Sequence, residues 1–331
     1  MQLALNPRAR PALLVLLVVI CLLMAGQIAR LLGLEGARGL LCLTNLATLV
    51  ICIRLSWRQA LIAVGGLAVL AVPAVLSQGD PLMATAVIAA AALGLGLSAR
   101  GQLQPVYWLM MVSICMLITQ STLPANPSAT QLTSLVIAVL SSGGLSLLLH
   151  HLLLGRLAAA QPKPMAAVAH SWRRCLAYGL LLASTALITT PIAVLHHWHT
   201  NGLWLILTPF LVLRPFVRDS WKVALHRSLG TLAGVALVIG LARVLPHTLP
   251  ILLLAIVMAV ITAMIAARHG HPAVMVSSLT ATIVLFNSNS SDLPLMADQR
   301  LQACGLGIAI CLGVMALAHP IEQSLQSQRT G

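Results

Sequence analysis

Acidic residues, aromatic side chains and charge in general are scarce in this sequence. Of 331 residues, six are Asp or Glu, 8% are charged and 3% are aromatic, whereas 59% are hydrophobic. Soluble domains carry about 25% charged residues, so this composition excludes an ordinary soluble protein. Apolar runs of about 17–25 residues recur along the whole chain, and that length spans the hydrocarbon core of a bilayer. The sequence therefore predicts an all-α, polytopic membrane protein.

Motifs for catalysis and for metal binding are also missing. The sequence has no paired carboxylates, no G-x-S-x-G and no G-x-x-x-x-G-K, so we expect neither an enzyme nor an ATP site. Its seven cysteines form no C-x-x-C pair and are interpreted as small buried hydrophobes. The histidines at 196–199, and His269 with His271, lack acidic or cysteine neighbours. We therefore expect no metal and no cofactor.

The apolar runs predict about twelve transmembrane helices joined by short loops rich in Gly, Pro, Asn or Ser. The predicted spans are 11–29, 39–55, 59–77, 82–98, 104–121, 130–153, 174–195, 202–217, 225–245, 248–267, 272–287 and 300–319. Arg8 and Arg10 precede the first run as in a signal peptide, but no small-residue cleavage site follows, which favours a first membrane helix.

The distribution of basic residues predicts the orientation of these spans. With the N-terminus in the cytoplasm, fifteen of the nineteen Lys and Arg residues fall inside, and only Arg30, Arg38, Arg243 and Arg300 fall outside. Positively charged loops stay in the cytoplasm, so both termini are predicted to be cytoplasmic. The net charge of +13 is thus interpreted as a signal of topology and not of nucleic-acid binding.

An internal repeat divides the chain. Ser56-Trp57-Arg58-Gln59-Ala60-Leu61 matches Ser220-Trp221-Lys222-Val223-Ala224-Leu225, and Gly66 and Gly230 follow at the same offset. The repeat predicts two six-helix halves in parallel orientation. The predicted domains are residues 1–153, a cytoplasmic linker at 154–173, and residues 174–331.

The stretch from Trp204 to Gly234 carries the candidate site. Charged residues inside spans are costly, so they are functional candidates by default. Arg214 and Arg227 either snorkel to the cytoplasmic interface or face a cavity and attract an anion, since a guanidinium pairs with two carboxylate oxygens. Pro209, after Thr208, predicts a broken helix of the kind that lines transport paths.

Gly230 and Gly234 form a G-x-x-x-G pattern, with Thr231 beside the first. The pattern is typical of close helix packing, and direct substrate contact is the alternative. The six acidic residues all fall outside the middle of the predicted spans. Proton coupling would therefore need a histidine, Asp219, or a proton carried by the substrate.

The same stretch resembles the membrane module of the fusaric-acid-resistance-like family, also described as aromatic acid exporters. The resemblance covers about 174–320 and rests on Trp204, Thr208, the run Leu211 to Leu213, Arg214-Pro215 and the sequence R-x-x-G-T-x-x-G from Arg227 to Gly234. Arg300 and Gly305 match the opening of the last helix of the module. Many relatives carry a sizeable cytoplasmic domain after each half, whereas the corresponding stretches here are expected to be only the linker at 154–173 and the tail after His319-Pro320.

The resemblance implies a bacterial inner-membrane exporter of small, often aromatic, carboxylates, sometimes paired with a periplasmic adaptor protein. In this interpretation the proton gradient drives export, Arg214, Arg227 and Arg300 attract the carboxylate, and Thr208, Pro209, Gly230 and Thr231 shape the path. A passive anion channel and a non-transporting envelope scaffold are the alternatives. Membrane lipid and further copies of the chain are the other expected partners.

Overall fold

The computed structural model describes residues 20–327 with gaps at 22, 55, 101–103, 121–122, 125, 155–170, 197–198, 216, 245–253, 256, 259–260, 263–264, 266–270 and 287–292. These residues are about 90% helical and contain no strand. The prediction of an all-helical protein is confirmed.

The described residues form a succession of helices. In chain order they are α1 (residues 20–31), α2 (Arg38–Arg54), α3 (Trp57–Leu76), α4 (Pro81–Ser98), α5 (Gln104–Thr119), α6 (Ala129–Leu149), α7 (Trp172–Leu195), α8 (His199–Val212), α9 (Val217–Ala242), α10 (the described residues of 254–265), α11 (Pro272–Phe286) and α12 (Leu293–Ser327). A 3-10 turn, Glu35–Ala37, precedes α2, and a π-helical turn, His150–Leu154, follows α6.

Six helices in the described part of the chain are long and apolar enough to cross a membrane: Trp57–Leu76, Pro81–Ser98, Ala129–Leu152, Trp172–Leu195, Asp219–Leu241 and Pro294–Ala318. Met110–Thr119, Asn201–Val212 and Pro272–Leu285 are apolar but shorter. The chain is therefore a multi-pass membrane protein, whereas the count of twelve spans stays a prediction.

Local sequence determines where several helices begin. The Ser56 hydroxyl accepts a hydrogen bond from the Gln59 amide at 3.2 Å and caps α3. The Asp80 carboxylate caps α4 through the Leu82 amide at 2.8 Å, with Pro81 in the first turn. Each cap satisfies amides that have no partner inside the helix, which stabilises the start of the helix by about 1 kcal/mol.

Three predicted boundaries in the second half were wrong. The helix α8 ends at Val212 and not at 217, so Arg214 and Pro215 lie beyond it. The helix α9 begins at Val217, which places Arg227 ten residues into the helix instead of one turn. The helix α12 begins at Leu293, where Pro294 suits a first turn, so that Arg300 lies well inside a helix and not at its opening.

The prediction of a broken helix at Pro209 was also wrong. The helix α8 continues through Pro209 to Val212, and the Leu213 amide still bonds to the Pro209 carbonyl at 2.8 Å. Pro73 and Pro191 likewise lie inside the continuous helices α3 and α7. Each proline lies three or four residues before the C-terminal end of its helix.

Contacts divide the chain into two compact units. The first unit comprises Met1–Ala183 and Val194–Thr200, and the second comprises Ser184–Ala193 and Asn201–Gly331. In the first unit α3 packs on α5 and α6, and α2 packs on α6. In the second unit α9 packs on α11 and α12. The predicted linker at 154–173 lies mostly outside the described residues, so the predicted domain boundaries stay predictions.

Candidate anion-binding site

Two arginines are buried in the second unit. Arg227 of α9 is 7% exposed and Arg300 of α12 is 3% exposed. Each lies on the buried stripe of its own helix: Ala224, Arg227, Thr231 and Val235 follow the helical period on α9, as do Arg300, Cys304, Gly307 and Cys311 on α12. The two stripes face each other where α9 packs on α12.

Neither guanidinium has a carboxylate partner among the described residues. Arg227 hydrogen-bonds the thiol of Cys304, and the two positive charges lie close enough to repel each other. The Nε of Arg227 and the Nε and Nη1 of Arg300 have no hydrogen-bond acceptor among the described residues. A buried charge left without a partner costs about 3–5 kcal/mol, so the pair favours binding of an anion.

An aromatic ring holds Arg300 in position. Its Cζ lies 3.4 Å from the centroid of the Trp204 ring in α8, which is a close cation–π contact. The side-chain amide of Asn201 donates to the side-chain carbonyl oxygen of Gln299, the residue before Arg300, at 2.7 Å. This bond is a second link between α8 and α12. Arg300 is thus fixed by a neutral aromatic partner, which leaves its charge uncompensated.

A cavity of about 310 Å³ lies between α9 and α12; neither arginine lines it, but its wall includes Ser228 and Leu301, the chain neighbours of Arg227 and Arg300. Its wall includes Ser228 and Thr231 of α9 and Cys304 of α12, the residue whose thiol contacts Arg227. The rest of the wall is mainly aliphatic and consists of Leu232, Leu301, Gly305, Ile308, Ala309 and Leu312. The cavity therefore combines polar groups near the charges with an apolar remainder, as ligand sites usually do.

The structure brings some of the predicted site residues together. Arg227, Arg300 and Thr231 lie at the arginine pair or the cavity. Thr208 of α8 is buried against Gly307 of α12, where a β-carbon on the glycine would lie 2.8 Å from the threonine Cβ. Its hydroxyl donates to the Trp204 carbonyl at 2.6 Å within its own helix.

The other predicted site residues lie elsewhere. Arg214 is exposed beyond the end of α8, and its amide donates to the Ser220 hydroxyl at 2.8 Å. Pro209 is buried inside α8. Gly230 contacts α11, since a β-carbon there would lie 2.6 Å from the Ala273 carbonyl oxygen and 2.7 Å from the Val276 Cβ. These contacts favour the packing interpretation of Gly230 over substrate contact.

Sequence reasoning missed Cys304 as a site residue because an isolated cysteine in an apolar run is usually inert. It also treated Trp204 only as a family landmark. The spacing of Arg300, Cys304, Gly307 and Cys311 on one helical face was the available signal.

Part of the second half of the chain is similar to a known protein family. Residues 182–314 match the family described as fusaric acid resistance protein-like. The resemblance predicted from the sequence is thereby confirmed for this part of the chain, which contains Trp204, Arg227, Arg300 and the cavity. No curated protein and no solved structure gives a significant match. The family match and the apolar helices together indicate a membrane transporter.

Proposed function

We propose that this protein exports small organic anions, with aromatic carboxylates as the expected class, across a bacterial inner membrane. The observation that carries the proposal is the buried pair of Arg227 and Arg300, in which three guanidinium nitrogens lack acceptors among the described residues. A carboxylate between the two guanidiniums would satisfy these donors and relieve the repulsion between the charges. The apolar part of the cavity wall suits an aromatic or aliphatic body.

Transport requires that the anion bind without being held too tightly. A permanent carboxylate partner from the protein would neutralise the pair, and the described residues supply none. Trp204 keeps Arg300 in place through its ring and leaves the guanidinium N–H groups available to a ligand. The site is therefore suited to reversible binding of an anion.

Proton coupling is part of the proposal. His226 precedes Arg227 in α9, and its ring lies edge-on to the His271 ring with centroids 4.9 Å apart. Histidine changes its charge near neutral pH, so this pair is the candidate relay on the described part of the chain. Uptake of the proton by the substrate itself is the alternative route.

For the architecture we propose twelve spans in two six-helix repeats with both termini in the cytoplasm. Support comes from the fifteen-to-four bias of basic residues and from an ungapped alignment of residues 41–66 with 205–230. Ten of these 26 pairs are identical, and the identical residues of the first segment are Leu41, Leu43, Thr44, Leu49, Arg54, Ser56, Trp57, Ala60, Leu61 and Gly66. A periplasmic adaptor and further copies of the chain are proposed partners.

Two other functions remain as alternatives to export. A passive anion channel would use the same arginine pair but could not move an anion against its concentration gradient. A non-transporting scaffold would depend on the glycine contacts of α9 and not on the arginines. Both alternatives make different predictions for the experiment that follows.

The test is benzoate efflux from cells or everted vesicles that contain the wild type or the double variant R227Q/R300Q. We expect the wild type to export benzoate against its gradient, to lose this ability with an uncoupler, and the double variant to lose export at unchanged protein level. The matched control is R100Q/R243Q, which removes the same charge at two exposed positions and should retain export.

The outcomes separate the three functions. Unchanged export by R227Q/R300Q would refute the anion site. Flux that depends on the arginines but only equilibrates benzoate would favour the channel. If neither the wild type nor the variants move benzoate or the other aromatic and aliphatic acids tested, the scaffold is favoured.

A further inference from the structure

The helices around the arginine pair have counterparts in the first unit. The hydroxyl of Thr208 donates to the carbonyl of Trp204, and the hydroxyl of Thr44, its aligned residue, donates to the carbonyl of Leu40 at 2.9 Å. Further along, Gly66 of α3 faces α5, whereas Gly230 of α9 faces α11. The same local contacts thus recur in the two units.

The helices α6 and α12 can be aligned by burial. The buried residues of α6 are Leu135, Ala138, Val139, Ser142, Gly143 and Ser146. An offset of 165 places them on Arg300, Ala303, Cys304, Gly307, Ile308 and Cys311, all of which are buried.

One tertiary contact supports this register. The Ser142 hydroxyl donates to the Leu41 carbonyl at 3.0 Å, and Gly307, its counterpart, packs at the carbonyl of Leu205, the counterpart of Leu41. Residues of α2 and α3 therefore correspond to residues numbered 164 higher, and residues of α6 to residues numbered 165 higher. Both correspondences are consistent with the same helix packing in the two units.

Every charged or aromatic element of the site is replaced in the first unit. Trp204 corresponds to Leu40, Arg227 to Ala63 and Arg300 to Leu135, and these three counterparts are buried and apolar. At the counterpart of the cavity the first unit is tightly packed: Val64 and Gly143 correspond to Ser228 and Ile308 of the cavity wall, and a β-carbon on Gly143 would clash with a methyl group of Val64.

We propose that each chain contains one anion site, built by α8, α9 and α12, and that α2, α3 and α6 form its closed, neutral counterpart. The second unit then binds and moves the anion, and the first unit has no anion site of its own. This inference rests on the proposed function, because it assumes that the arginine pair binds anions. It adds that the duplication of the fold did not duplicate the site.

The test compares two aligned positions, Cys304 and Val139, with an anionic thiol reagent. One variant retains Cys304 as its only cysteine, and the other combines V139C with alanine at all seven native cysteines. The probe is methanethiosulfonate ethylsulfonate, which forms a mixed disulfide with the thiol and releases methanesulfinate. Its cationic trimethylammonium analogue is the control for charge, and thermal unfolding in detergent checks that each background folds.

We expect the anionic reagent to modify Cys304 at least about tenfold faster than V139C, because reaction requires access and the two arginines attract a negatively charged reagent. The cationic reagent should modify Cys304 more slowly than the anionic one. Equal modification of both positions, or no modification of Cys304, would overturn the proposal.

Adding R227Q/R300Q to the Cys304 variant separates this inference from the proposed function. If the preference for the anionic reagent persists without the arginines, the anion site itself is refuted. If the preference disappears but V139C reacts as fast as Cys304, the anion site stands and only the claim of a single site per chain fails.

Discussion

The two units use polar residues inside apolar helices in opposite ways. In the first unit the Asn45 side-chain amide donates to the Cys21 carbonyl at 3.1 Å, and its oxygen accepts a bond from the Ser146 hydroxyl at 2.7 Å. In the second unit Arg227 and Arg300 leave N–H groups without acceptors among the described residues. Polar groups whose hydrogen bonds are all formed hold helices together, whereas buried donors without acceptors are candidates for ligand binding.

A polar residue in a membrane helix is therefore not by itself a sign of function. Asn45 and Ser146 are as deeply buried as Arg300, yet they find their hydrogen-bond partners within the first unit. The difference lies in the chemistry of the groups: an amide can both donate and accept, but a guanidinium only donates. The proposed anion would supply the acceptors that the two guanidiniums lack among the described residues, and this lack distinguishes the second unit.

The largest loss of stability is expected when an aligned glycine, which allows two helices of the same unit to pack closely, is replaced by a large residue. Gly230→Leu should destabilise the protein by about 3 kcal/mol, because the new side chain meets the backbone of α11. Gly66→Leu should cost less, since it meets the flexible end of the Met110 side chain. Thermal unfolding in detergent measures both, and Gly240→Leu, with open space around it, is the control. Equal losses at Gly66 and Gly230 would contradict this comparison.

An intermediate loss of stability is expected when the hydrogen bonds of Asn45 in the first unit are removed. Asn45→Leu removes the bonds to Cys21 and Ser146 and should destabilise the protein by about 1–2 kcal/mol. Benzoate binding by the folded variant should be unchanged, because these hydrogen bonds have no part in the arginine site. Equilibrium binding measured beside thermal unfolding checks both statements. A lower affinity in the folded variant would show that the first unit contributes to anion binding.

The smallest effect is expected from the aligned threonines. Thr208→Val and Thr44→Val each remove one hydroxyl bond to the carbonyl four residues earlier and should each cost about 0.5 kcal/mol. Thr44→Val should leave transport unchanged. If Thr208→Val lowers benzoate export while its stability matches that of Thr44→Val, the Thr208 hydroxyl also serves the transport path.

The sequence by itself determined the class of protein, because the length of an apolar run and the scarcity of charge depend only on composition. It also predicted the family resemblance over about 174–320 and marked Arg227 as a costly charge, whereas Arg300 entered only through the resemblance. Helix caps such as Ser56 and Asp80 follow from local rules as well. These features depend only on residues that are close together in the sequence, so they can be predicted without knowing the tertiary structure.

Only the tertiary structure decided which charges meet. Arg227 and Arg300 are 73 residues apart, and nothing local to either one indicates the other or the ring of Trp204. Arg214 shares their chemistry but lies exposed, because α8 ends two residues before it. Helix ends depend on packing as much as on propensity, and a shift of a few residues moves a side chain from a buried stripe to the surface. The site therefore exists only where α8, α9 and α12 pack together.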